Sequence, residues 1–145
     1  MRLVFGSALV FLAFTAFAEG QDRVVSPQHL ELPTGYPNVA RAARLQGTVT
    51  VKLTISGDGK VVAADAVSSD ASLREHPLLQ REAAGLTRRW KFTCFNCAKE
   101  TAHPYDVIFT YRLEGKESTN PDTRITVDWP NQVTVTANPP IAMPD

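Results

Sequence analysis

The two cysteines stand three apart, in Cys94-Phe95-Asn96-Cys97. Sulfur at that spacing can close a local disulfide, exchange electrons with other thiols, or supply half of a tetrahedral metal centre. Each chemistry asks for different surroundings. Exchange favours a Cys-x-x-Cys that opens a helix, whose N-terminus lowers the thiol pKa; here the pair follows a helical segment and heads into a strand. A metal centre needs two further ligands, and His103 is near in sequence with no fourth beside it. With an even cysteine count in an exported chain, one local disulfide is the simplest expectation. A loop that short gains little from closure entropy, so the bond would fix loop shape more than global stability. Thiol-disulfide exchange through Cys94 and Cys97 and metal binding stay open as alternatives.

Other chemistry is sparse. His29, His76 and His103 sit in separate segments close to prolines, where surface or capping roles are the default. No Ser/His/Asp spacing, Gly-rich phosphate loop or paired carboxylate cluster emerges, and Gly57-Asp58-Gly59 is a hairpin turn rather than a phosphate cradle. The expectation is therefore no enzyme, no cofactor and no small-molecule substrate. Charge excludes two further classes. Fifteen Lys and Arg balance fifteen Asp and Glu, which leaves no electrostatic footprint for nucleic acid or anionic lipid. The pair Arg88-Arg89 is expected at a helix C-terminus, where cations complement the dipole.

The elements that must position these groups divide the chain into four stretches. At 1–18, Arg2 precedes an apolar run from Leu3 to Phe17, and Ala16-Phe17-Ala18 offers small residues for signal peptidase before Glu19. The run is shorter than the ~20 apolar residues a membrane span needs, so cleavage after Ala18 is expected, with an uncleaved inner-membrane anchor as the minor alternative. Residues 19–34, with Pro27 and Pro33, are expected as an extended lead-in. Residues 35–114 hold the domain, and 115–145 a tail with strand-forming segments. Within the domain, a helix can start after Pro37 and a longer one after Pro77. Leu79, Ala83, Leu86 and Trp90 form one helical stripe, so this helix is expected to finish in Arg88-Arg89-Trp90-Lys91-Phe92.

Three alternating runs read as strands. Gly47 to Ile55 places Val49, Val51, Leu53 and Ile55 on one face, Lys60 to Ser68 follows the turn Ser56-Gly57-Asp58-Gly59, and Tyr105 to Leu113 alternates again. Chain direction then predicts an α+β fold: a three-stranded, wholly antiparallel sheet of order 2-1-3, with two helices on its apolar face and a C-terminal strand or hairpin extension. The third strand would lie on an open edge.

Tyr36-Pro37, the faultless strand and its hairpin, and the long helix closing in Trp90-Lys91-Phe92 together resemble the C-terminal domain of the TonB energy transducers, over roughly Tyr36 to Leu113. In that family the aromatic ends belong to the fold, so Tyr36 and Trp90 are expected as core anchors. The resemblance implies a Gram-negative periplasmic protein. It implies capture of a short peptide from outer-membrane TonB-dependent receptors by strand addition along the last strand, here Tyr105, Val107, Phe109, Tyr111 and Leu113. Three family features are missing: a firm N-terminal anchor, a long Pro-rich linker, and the Gln/Pro-rich approach, replaced by Leu32-Pro33-Thr34-Gly35. Binding is therefore expected ahead of energy transduction, which would need a membrane tether. The tail departs further. Arg124 to Trp129 alternates at strand period, and Val133, Thr134, Val135, Thr136 and Ala137 resemble the receptors' own "TonB box", close to acid-Thr-x-x-Val-Thr-Ala. Such a tail would lie along the third strand, or be offered to another TonB-like domain.

Overall fold

Alternating apolar and polar residues over Gly47–Ile55 give a strand whose inward side chains are almost wholly buried: Val49, Val51 and Ile55 are 0 % exposed and Leu53 2 %. This strand organises the molecule. The computed structural model describes residues 24–99 and 101–144; the expected leader lies outside them. In chain order the elements are β1 (Val24–His29), α1 (Asn38–Ala42), β2 (Gly47–Ile55), β3 (Val61–Val67), α2 (Ala71–Glu75), α3 (Leu78–Thr87), β4 (Lys91–Phe95), β5 (His103–Leu113), β6 (Arg124–Asp128) and β7 (Gln132–Ala137).

The fold is α+β with a mixed sheet. β2 pairs antiparallel with β3 on one side, Val51 opposite Ala66, and with β5 on the other, Val51 opposite Val107. These are the three strands in the expected order 2-1-3. The sheet does not stop there: its full order is β3-β2-β5-β7-β6, five strands rather than three, and a separate two-stranded sheet joins β1 to β4. The expected open edge at the third strand is thereby corrected. β5 is an interior strand, and β3 and β6 are the outer strands of the five.

The described residues hold three short helices rather than two. α1 starts directly after Pro37 and α3 directly after Pro77, as a residue lacking an N–H allows at a helix start. Leu79, Ala83 and Leu86 on α3 are buried over the sheet with Leu73 of α2 and Ala40 of α1. α3 ends at Thr87, not at Phe92 as expected. Trp90 still reaches the core, but from the turn after the helix, and Lys91–Phe95 is extended and paired with β1.

The β2–β3 turn explains why β4 can run beside it. Gly59 has φ +87°, and a Cβ there would lie 1.9 Å from the Phe92 carbonyl oxygen. Phe92 N–H donates to the Gly59 carbonyl at 2.9 Å, so only glycine permits both the backbone angle and the approach. β1 and the segment after it then strap across Trp90, whose indole Nε1 donates to the Glu31 carbonyl at 3.0 Å. No helix among the described residues is long and apolar enough to cross a membrane.

Candidate functional site

The side of β5 facing away from β2 is occupied by the chain itself. β7 lies along it in parallel, with Phe109 beside Val133, Tyr111 beside Val135 and Leu113 beside Ala137. Val133, Val135 and Ala137 are 0–1 % exposed and join the core formed by Val107, Phe109 and Tyr111. The Val/Thr alternation produces this: apolar side chains turn inward while Thr134 stays half-buried. Backbone bonds run off both ends of the ladder. Ile108 N–H donates to the Asn131 carbonyl at 2.8 Å and Glu114 N–H to the Ala137 carbonyl at 3.0 Å.

A parallel neighbour needs a connection that returns the chain to its starting end. After β5 the chain crosses through residues 114–123, runs back along β6, turns at Trp129-Pro130-Asn131 and enters the gap as β7. The turn is fixed to β5 through the Asn131 side-chain amide, which donates to the Asp106 carbonyl at 3.1 Å, and the Tyr105 hydroxyl, which donates to the Pro130 carbonyl at 3.2 Å. β6 pairs with β7 alone, so β7 can leave only if the β6–β7 hairpin leaves as a unit.

Two arginines of the first helical segment hold the chain beyond β7. Arg41 Nε donates to the Asn138 carbonyl at 2.7 Å, and its Nη2 donates to the carbonyls of Ser118 and Pro139. Arg44 Nη2 donates to the Pro140 carbonyl at 2.9 Å and pairs with Glu117 at 3.2 Å. The guanidinium donors meet mostly backbone acceptors, so this latch recognises chain course more than side-chain identity. The expectation of a helix after Pro37 gives these arginines no partner. Main-chain carbonyls leave no mark in a sequence.

Of the residues expected on a partner-binding edge, Val107, Phe109 and Tyr111 point into the core, whereas Tyr105 and Leu113 are half-buried. What an added strand would meet is their backbone. Tyr111 also holds a half-buried carboxyl: its hydroxyl donates to Glu82 Oε2 at 3.3 Å, and Tyr36 packs edge-on against it at 5.7 Å while donating to the Leu45 carbonyl. Burial pushes the Glu82 carboxyl above its ordinary range, only partly offset by the Tyr111 hydrogen bond. A carboxyl that titrates higher folded than unfolded adds stability below the unfolded value, near 4.5, and loses it as pH rises through the folded value. Glu82→Gln is therefore expected to be more stable than the parent at pH 7 and to match it below about pH 4. Urea unfolding at both pH values measures the difference.

The Cys94–Cys97 disulfide is formed, with Cα atoms 5.5 Å apart. Cys94 lies in β4 rather than beyond the elements, and Cys97 follows Asn96, which turns the chain at φ 57°. Both ends of the loop are held by strand pairing, β4 to β1 and β5 to β2. The double variant Cys94→Ser, Cys97→Ser should accordingly stay folded, with only a modest loss of stability. Global unfolding in circular dichroism would show that the bond does more than shape its loop.

Residues 33–113 match the family described as Gram-negative bacterial TonB protein C-terminal. No curated protein gives a match. The matched stretch ends at the last residue of β5, so β6, β7 and the carbonyls held by the two arginines lie outside it.

Proposed function

The chain belongs to the TonB C-terminal family of protein-interaction modules linked to transport, and from that premise we propose that it is an exported periplasmic binding module. It takes an extended segment of a protein partner by strand addition along β5, and its own tail self-limits that binding. The observation that carries the reading is the parallel seating of Val133–Ala137 along β5: the edge that would receive a partner already accepts a Val/Thr strand in a defined register. The partner is an outer-membrane TonB-dependent receptor, whose TonB box resembles this segment, or another TonB-like domain.

Competition sets the affinity. A tethered strand faces β5 at an effective concentration in the millimolar range, so a receptor peptide must displace it or find it already detached. Binding is the proposed role; energy transduction would require a membrane tether in addition. The test is a pull-down from outer-membrane extract with the purified domain as bait. The expected result is recovery of a TonB-dependent receptor that is lost on adding excess peptide with the sequence of residues 132–137. Failure to recover a receptor, or recovery that the peptide leaves unchanged, would remove strand addition as the mode of binding.

A further inference from the structure

At the junction of β4 and β5 three side chains able to ligate a metal converge, away from the β5–β7 ladder. The two sulfurs of Cys94 and Cys97 and a ring nitrogen of His103 all lie within 4.8 Å of one another. His103 is 2 % exposed and begins β5, paired there with Ile55 of β2. Cys94 is placed by its pairing with Val25 of β1. Two of the three donors are thus set by the strands themselves, and Cys97 is returned toward them by the turn at Asn96.

Oxidised, the sulfurs are bonded to each other and offer a cation no charge. A dithiol reductant cleaves that bond: each sulfur takes one electron and one proton, and the reductant becomes a disulfide. We propose that the reduced chain binds one thiophilic d10 cation, zinc, through Cys94, Cys97 and His103, releasing the two thiol protons. Disulfide and metal are then alternative states of one site.

Distance and chemistry agree with this. Zinc bonds of about 2.3 Å to sulfur and 2.0–2.1 Å to nitrogen place tetrahedral donors roughly 3.5–3.8 Å apart. On reduction the two sulfurs must therefore part from the ~2 Å of a disulfide toward that separation, while the imidazole, within 4.8 Å of both, closes by up to about an ångström, movements that a half-exposed cysteine on a turn can make. The fourth position falls to water, since both cysteines are only half-buried.

The experiment uses the full chain, reduced with a phosphine so that no competing thiol is present, then dialysed against zinc and assayed for bound metal. One zinc per reduced chain and none per oxidised chain is expected, with Cys97→Ser and His103→Gln each weakening binding roughly tenfold or more. Cobalt(II) in place of zinc should give a thiolate-to-metal charge-transfer band that Cys97→Ser diminishes. Should His103→Gln fail to fold, Cys97→Ser in its exposed turn carries the comparison alone. Equal zinc in both redox states, no zinc in the reduced chain, or binding that ignores Cys97→Ser would each overturn the site.

Discussion

Truncating the chain after Gly115 is expected to raise its affinity for a Val-Thr-Val-Thr-Ala peptide on the order of a hundredfold. The cause is the removal of an internal competitor. In the intact protein β7 occupies the ladder along β5 and buries Val133, Val135 and Ala137, so on the proposed mode of binding the competent form is a minor population and apparent affinity falls by that fraction. Truncation also bares the flank of Phe109 and Tyr111, which will lower stability. A second variant therefore keeps the whole chain: Arg41→Ala with Arg44→Ala removes the donors to Ser118, Asn138, Pro139 and Pro140. Charge-assisted bonds contribute roughly 1.5–3 kcal/mol each when buried and less where, as here, they are part-buried at Arg41 and exposed at Arg44, so a gain of about tenfold is expected from the pair. Isothermal titration with the peptide reads both. If neither variant binds better than the parent while both remain folded, the tail is a fixed part of the sheet and not a competitor. If truncation instead abolishes binding to a second TonB-like domain, the tail is the ligand and not the lock.

Trp90→Ala is expected to cost roughly 3–5 kcal/mol, a large share of the 5–15 kcal/mol typical of a whole domain. Three losses combine in it. The ring is 2 % exposed and lies 6.2 Å from Phe92 and 6.4 Å from Phe109, so its removal leaves a cavity between β4 and β5. Its Nε1 donor to the Glu31 carbonyl disappears as well, and with it one of the ties, beside the β1–β4 pairing, that hold the lead-in against the core. Trp90→Phe should recover much of the packing but not that bond. Urea unfolding provides the number, and a change under about 1 kcal/mol for the alanine variant would mean that the surrounding side chains close the space by themselves.

Strand periodicity made the centre of the molecule legible. β2, β3 and β5 follow from which residues must face inward, and their antiparallel order follows from the direction in which each connection returns the chain. The same reasoning misjudged the end of α3, for a physical reason: Trp90 continues the spacing of Leu79, Ala83 and Leu86, and a residue can fall in register with a helical stripe after the backbone has left the helix. β1 was hidden by Pro27, which argues against a regular strand, and its pairing with β4 is indeed irregular between Pro27 and His29. The tail segments were recognisable as strands, but not the parallel direction of β7, because a neighbour reached through an intervening strand leaves no local signature. Arg41 and Arg44 stayed obscure for a related reason, since their partners are mainly carbonyls that any residue would supply.

The place of β7 also bears on when the molecule becomes complete. The strand that closes the gap between β5 and β6 is the last of the described strands in chain order, and a chain entering a compartment N-terminus first presents β5 before β7 has arrived. Contacts within the segment from β2 to β5 can form without it, whereas the parallel ladder must wait for the crossover and the β6–β7 turn. On the proposed mode of binding, a partner present while the chain is still emerging would find β5 with an unclaimed side, a better opportunity than any at equilibrium.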